Sequence, residues 1–242
     1  QIPDLSRRRD EIGDLSVDLH EMTQALYGRL DAIEVFAADV AHEIKNPLTS
    51  LRSALETMDR TDDPTQKQRL MAVMAQDVSR MDRLISDISN ASRVDAELAR
   101  EESEPVDLVP LLQTLLSVRQ PDLGAPGPTF ELQLDPGSTI IIDGLPSRLG
   151  QVVDNMVGNA LSFSPIDGTI RLPLERRGDM AQLMVEADGP GIPPGQEEAI
   201  FKRFYSHRPA GEAFGQHSGL GLSICRQIIE AHDGSIMAEN RF

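Results

Sequence analysis

His42 and Glu43 set an imidazole beside a carboxylate, and Asn46 adds a carboxamide one helical turn later. A neutral imidazole has one ring nitrogen free to attack an electrophile, and a neighbouring carboxylate can accept the other ring proton and stabilise the cation that forms. At i+4 the Asn46 amide shares the face of His42 and can hold a water or an oxyanion beside it. Nucleophilic attack by the imidazole is the chemistry these types suggest. A histidine on an apolar helix face is more often a satisfied core residue, and Glu43 and Asn46 alone are ordinary surface residues. Which way the helix turns His42 therefore decides the matter.

Apolar residues fall at 15, 19, 22, 26, 30, 33, 37, 40, 44, 48, 51, 55 and 58, steps of three and four that trace one seam of a continuous helix over residues 11–59. His42 lies midway between seam positions 40 and 44, about 200° around the helix from either at ~100° per residue, so it is predicted to face water. Pro47 lacks an N–H and crowds the Glu43 carbonyl, which predicts a bend at the site. Thr61-Asp62-Asp63-Pro64 breaks the helix, and a second one is predicted over 65–98, with apolar residues at 70, 74, 78, 81, 85 and 88. So short a break makes the two helices an antiparallel hairpin. A lone hairpin cannot bury a seam of this length, so the expectation is a homodimer closed into a four-helix bundle.

Glu97, Glu101, Glu102 and Glu104, ending at Pro105, read as a hinge. Beyond it the periodicity changes: a helix over 106–118, strands at 129–134 and 139–142, a helix over 146–163, strands near 168–174 and 180–187, and a last helix over about 218–232. Mixed elements of this order predict an α/β sandwich with its helices on one sheet face.

That second region carries its own chemistry. Asn155 and Asn159 are four apart on a predicted helix, so both amides project from one face. An amide oxygen is a neutral hard ligand for Mg²⁺ and an amide N–H can donate to phosphate, although two asparagines alone are more often polar surface. Gly189-Pro190-Gly191-Ile192-Pro193 would let backbone approach a flat base closely, because glycine has no Cβ to block it. Gly219 and Gly221 open the last helix, whose free N–H groups and dipole suit a phosphate.

Taken together, these stretches resemble the sensor histidine kinases of two-component systems over nearly the whole chain. His42-Glu43-Ile44-Lys45-Asn46-Pro47-Leu48 is similar to the phosphoacceptor box, Asp154 to Ala160 to the N box, Phe201 to Tyr205 to the F box, and the two glycine stretches to the G boxes. Asp10 to Leu15 resembles the second helix of a HAMP relay. Ser218 to His232 and Leu161 to Pro165 further resemble the ChvG-type branch. The resemblance implies His42, Glu43 and Asn46 as catalytic residues, ATP and Mg²⁺ as cofactors, and Asn159 as the metal ligand. ATP contacts would come from Asn155, Asn159, Ser162, Phe163, Ala187, Asp188, Gly189, Gly191, Ile192, Arg203, Phe204, Ser218, Gly219, Leu220 and Gly221, with residues 205–217 forming a mobile lid. It also implies a HAMP end over 1–25, a dimerisation and phosphotransfer hairpin over 26–100, an ATP-binding domain over 106–242, and a response-regulator receiver domain as partner.

Two positions depart from the family pattern. Where relatives carry an aspartate that accepts from the adenine amine, this chain has Ala187. Asp188 is adjacent, but successive side chains of an extended segment point to opposite faces. Ser162 stands where many relatives have a phosphate-contacting lysine; Arg203 or Lys202 is the candidate replacement charge. The alternative expectation is therefore a form of the same family impaired in ATP binding, acting as phosphatase or scaffold. A third, different class is an ATP-driven machine of the gyrase or Hsp90 kind, which the phosphoacceptor box disfavours.

Composition bounds the partners. A formal charge of −16 and a pI near 4.6 leave no basic stripe to displace counterions from nucleic acid. Arg7-Arg8-Arg9 is followed at once by Asp10 and Glu11 and reads as a solvated turn. Cys225 is the only cysteine, placed as buried filler in an apolar helical run. No run of eighteen apolar residues occurs, so the expectation is no membrane contact in this stretch, which would be the cytoplasmic portion of a protein anchored in the inner membrane.

Overall fold

A computed structural model describes residues 10–98, 100–119, 127–135, 137–205 and 219–241. The chain divides into two compact units, one ending at Val78 and the other beginning at Ser79. Among the described residues no helix is long and apolar enough to cross a membrane.

The first unit is built on helix α1 (Glu11–Met58). Asp10 caps it, its side chain accepting from the Gly13 N–H at 3.2 Å, one of the donors that a helix start leaves unpaired. The helix runs without interruption through Pro47, which is buried. A turn follows in which Asp63 Oδ1 accepts from the Thr65 N–H at 2.9 Å and the Thr61 hydroxyl donates to Gln66 Oε1 at 2.7 Å. Pro64 then opens α2 (Pro64–Leu98), at a position where its missing N–H costs nothing. Both helices thus begin and end within a residue of the sequence expectation. Along α1 the seam residues Leu15, Leu19, Met22, Leu26, Leu30, Ile33, Leu48 and Leu55 are exposed in the single chain.

The second unit holds the remainder of α2, in which Leu84 and Val94 are fully buried. It continues through β1 (Glu104–Asp107), α3 (Leu108–Arg119), β2 (Thr129–Gln133), β3 (Ile141–Gly144), α4 (Pro146–Phe163), β4 (Thr169–Arg177), β5 (Met180–Leu183), a 3-10 turn (Ala199–Phe201) and α5 (Gly221–Ala231). β1 pairs antiparallel with β3; β2 runs parallel to β4, and β4 antiparallel to β5. Ile170, Leu172 and Leu174 of β4 point into the core against Leu112 and Leu116 of α3 and Val153 and Val157 of α4. Each such side chain contributes about 1.5–3 kcal/mol relative to exposure. The alternate β4 residues Arg171, Pro173 and Glu175 lie on the other, half-exposed face, so the helices cover one side of the sheet.

Several boundaries differ from expectation. Glu104 and Pro105, read as the end of a hinge, belong to β1, where Pro105 sits opposite Asp143. A proline is tolerated there because the two-stranded ladder has an open edge. The helix expected from 106 starts at Leu108, since Asp107 Oδ1 accepts from the Val109 N–H at 3.1 Å and so ends the strand and caps the helix in one residue. The strand expected at 139–142 is centred two residues later, although the Ile140 carbonyl still accepts from Leu108 N–H at 2.9 Å.

The strand expected over 180–187 is regular only to Leu183, yet its rungs continue. Met184 N–H donates to the Pro173 carbonyl at 2.9 Å, and Arg171 and Glu186 exchange two backbone bonds at 2.9 and 2.8 Å. The inward phase of this edge is Ala181, Leu183, Val185 and Ala187, all packed against the core.

Candidate active site

The first group of residues lies on α1. His42 and Asn46 are both exposed, one turn apart, while Glu43 is half-buried and Pro47 buried. One turn beyond, the Thr49 hydroxyl donates to the Lys45 carbonyl at 2.8 Å. The helix thus offers an imidazole and a carboxamide to solvent on one face.

The second group lies in the second unit, around α4. Asn155 and Asn159 are half-buried on the same helix face. Asn155 Nδ2 donates to the Gly221 carbonyl at 3.3 Å, which ties the middle of α4 to the start of α5. A Cβ on Gly221 would sit 3.5 Å from Asn155 Cγ, an ordinary contact, so what glycine adds here is an uncrowded helix start. The Asn159 side chain has no protein partner among the described residues, and a half-buried amide in that state fits a hard cation or a phosphate oxygen. Ser162 donates its hydroxyl to the Asn159 carbonyl at 3.0 Å and is thereby turned back onto its own helix.

Opposite α4 runs the turn after β5. Gly189 packs so tightly on the end of α4 that a Cβ would meet the Phe163 carbonyl oxygen at 2.9 Å. Gly191 has φ +77°, a conformation that side chains rarely adopt. Ile192 is gripped through its backbone: its N–H donates to Asn240 Oδ1 and its carbonyl accepts from Asn240 Nδ2, both at 2.7 Å. Ala187 faces the core, while the Asp188 carboxylate is held by Arg241 at 3.2 Å with Arg171 at 3.9 Å. Glu186 also pairs with Arg241, at 2.5 Å.

The third wall is aromatic. Phe201 is buried beneath the Arg226 guanidinium, 4.4 Å from the ring centroid, and Arg226 also pairs with Glu198 at 2.9 Å. Phe204 has φ +58° and Gly219 φ +76°; a Cβ on Gly219 would fall 2.8 Å from the Phe204 backbone and 2.9 Å from the Tyr205 carbonyl. Gly219 is thus packed closely on Phe204 and Tyr205. The lid expected over 205–217 lies, apart from Tyr205, outside the described residues, as do Ser218 and the Arg7–Arg9 triplet. Leu220 is buried, and its carbonyl accepts from the Ser223 hydroxyl at 2.8 Å as α5 begins.

Asn155, Asn159, Phe163, Ala187, Asp188, Gly189, Gly191, Ile192, Gly219 and Gly221 border one broad open cleft. Ser162, Arg203, Phe204 and Leu220 stand outside its lining. Beside the cleft, His232 bridges two elements: its Nδ1–H donates to the Ile228 carbonyl at 2.7 Å and its Nε2 accepts from Leu145 N–H at 3.0 Å. Arg148, the one buried charged residue among those described, reaches from α4 to Glu97 at the end of α2 and to Gln151. Cys225 is buried, and desolvation pushes its thiol up from 9.0 to about 12. Asn240, Arg241, Arg226 and His232 carry contacts that no motif in the sequence announced.

Comparison with known proteins gives the arrangement a setting. Residues 32–97 match the His Kinase A (phospho-acceptor) domain, and residues 144–241 match the histidine kinase-, DNA gyrase B- and HSP90-like ATPase family. The chain is 52% identical to the sensor protein ChvG of Agrobacterium fabrum over 99% of its own length and 41% of that protein's. It is 51% identical to ChvG of Rhizobium meliloti over 99% of its length and 43% of the relative's. The chain thus spans about two fifths of the length of each of these two curated relatives. Among solved structures, the histidine kinase ThkA in complex with the response regulator TrrA superposes with a TM-score of 0.65 at 26% identity, covering 92% of this chain and 62% of that one.

Proposed function

Because the chain belongs to the sensor histidine kinase family, of the ChvG type, we propose that it is the phosphotransfer region of a two-component sensor that autophosphorylates on His42. The observation that carries this reading is the exposed His42, with Asn46 on the same face, inside the phospho-acceptor match. A ring nitrogen of His42 attacks the γ-phosphorus of ATP, the bond to the bridging oxygen breaks, and ADP leaves. Glu43 accepts a hydrogen bond from the N–H of the other ring nitrogen, which fixes the tautomer and stabilises the imidazolium that forms on attack. The phosphoryl group then passes to an aspartate of a response-regulator receiver domain. In the reverse sense Asn46 holds the water that hydrolyses the regulator's phosphate.

In the cleft, Asn155 and the α5 start at Gly219 to Gly221 bind the phosphates, and the turn 189–192 takes the base. Asn159 would hold Mg²⁺, which neutralises triphosphate charge when bound. The exposed α1 seam supports a homodimer paired through that stripe. A receiver domain as partner is supported by ThkA, which is solved in complex with a response regulator, and the helix surfaces at about 48–58 and 66–80 would be its docking site. The parent protein is membrane-anchored and this stretch lies on the cytoplasmic side; the two-fifths coverage of the ChvG relatives leaves room for the anchor.

Incubation with γ-labelled ATP tests the reading. It requires an acid-labile, alkali-stable phosphate on the original chain and none on His42→Gln; equal labelling of both refutes it.

A second reading is favoured by one specific observation. Ala187 occupies the inward position where a carboxylate would reach the base, and both neighbouring carboxylates are engaged by arginines. On this reading the chain is a form impaired in ATP binding that acts mainly as phosphatase or scaffold. Stoichiometric labelling of the original chain at low micromolar ATP would exclude it.

A further inference from the structure

The turn 186–192 is held from outside by two consecutive residues. Asn240 spends its whole carboxamide on the backbone of Ile192, accepting from the N–H and donating to the carbonyl at 2.7 Å each. This copies a rung of a β-ladder with a side chain, and it fixes the plane of both peptides that flank Ile192. The same amide fills the space beside Gly191: a Cβ there would lie 2.8 Å from Asn240 Oδ1. Glycine at 191 is therefore demanded twice, by φ +77° and by the amide packed against it. Arg241 holds the other end of the turn through Glu186 and Asp188. Those pairs are partly exposed and contribute little, whereas a half-buried two-point amide bond resists water.

We infer that Asn240 is a positioning residue for the base-binding turn, setting the backbone of Gly189 to Ile192 against which a purine lies. The inference rests on the reading of the cleft as a nucleotide site. The backbone groups whose direction Asn240 sets contribute to base recognition whichever residue stands at position 187. The phosphate end of the cleft, at Asn155 and Gly221, has its own bond at 3.3 Å and does not pass through Asn240. A positioning role thus predicts a loss confined to the base.

The experiment titrates the full 242-residue chain in the Ala187→Asp background, with and without Asn240→Ala, using MgATP and, separately, magnesium tripolyphosphate. Thermal unfolding is followed alongside. MgATP affinity should fall about tenfold in Asn240→Ala while tripolyphosphate affinity stays within about twofold. Unchanged ATP affinity, or an equal fall for both ligands, overturns the role. If Asn240→Ala does not fold, Asn240→Asp carries the test. It keeps the acceptor for Ile192 N–H and loses the donor, so an intermediate loss for ATP alone is expected and no loss overturns the proposal. If the Ala187→Asp chain with Asn240 intact binds neither ligand, the nucleotide reading falls and takes this role with it. ATP binding that Asn240 variants leave unmoved defeats only the positioning role.

Discussion

Ala187 and Asp188, consecutive in the chain, face opposite ways: the methyl group packs on the core in phase with Leu183 and Val185, while the carboxylate is held by Arg241 at 3.2 Å. Asp188 borders the cleft, but it is engaged by Arg241 and could take the inward place of Ala187 only if the edge strand slipped, which would bury Glu186 and expose Leu183 and Val185.

Restoring the acid at the inward position therefore has a definite expected effect. Ala187→Asp should tighten MgATP binding by about 10- to 150-fold, the equivalent of one hydrogen bond to a charged group. Asp188→Asn should change it less than about twofold. Calorimetric titration of the three chains reads the result, and a larger effect at 188 than at 187 would show that the strand phase is wrong.

On the proposed function, substitutions at Asn46 and His42 should separate two activities. Asn46→Ala should leave labelling of His42 within a few-fold and slow dephosphorylation of a phosphorylated regulator by about 10² or more, the usual contribution of a group that positions a reacting water. Loss of both activities together would mean that Asn46 acts through the helix instead.

Substituting Gly219 tests its close packing on Phe204 and Tyr205. Gly219→Ala meets backbone at 2.8 Å in a left-handed conformation, so it should destabilise the second unit by about 1–2 kcal/mol for the conformation plus a further ~1–3 kcal/mol for the overlap, and lower its unfolding midpoint. Gly178 shares the left-handed conformation, with φ +64°, but has nothing within 4 Å. Gly178→Ala should cost only about 1–2 kcal/mol. Equal losses would remove the argument for close packing at 219.

Cys225 gives a pH dependence with a fixed sign. Its thiol is raised from 9.0 to about 12 by burial, so below pH 9 both folded and unfolded chains keep the proton and stability is unaffected. Between 9 and 12 only the unfolded chain releases it, and stability falls as pH rises. Cys225→Ala should flatten that alkaline limb. In the native chain the thiol should resist alkylation at pH 8 and react fully in denaturant; rapid native labelling would contradict its burial.

What the residues alone disclosed follows from where periodicity is strong. Helix α1 and helix α4 from Pro146 to Phe163 are set by long apolar repeats, with a capping Asp10 on the first and Pro146 opening the second, and both lie where expected; His42 is exposed, as are the seam leucines of the single chain. Strand β1 was hidden because Glu104 and Pro105 have the composition of a breaker, and only the partner strand β3 makes them extended. The start of α5 moved from 218 to Gly221 because Gly219 takes a positive φ that no helix continues. Asn240 could not be found at all: its partner is 48 residues away and consists of backbone, which leaves no pattern of side-chain types to read.

The uncovered leucine and isoleucine stripe of α1 carries one more consequence, in the language of mass action. For a chain that pairs through it, folding and association are a single equilibrium, so the midpoint of unfolding climbs with protein concentration and a single melting temperature has no meaning until the concentration is named. Dilution then becomes a way to switch the molecule off without touching either ATP or His42.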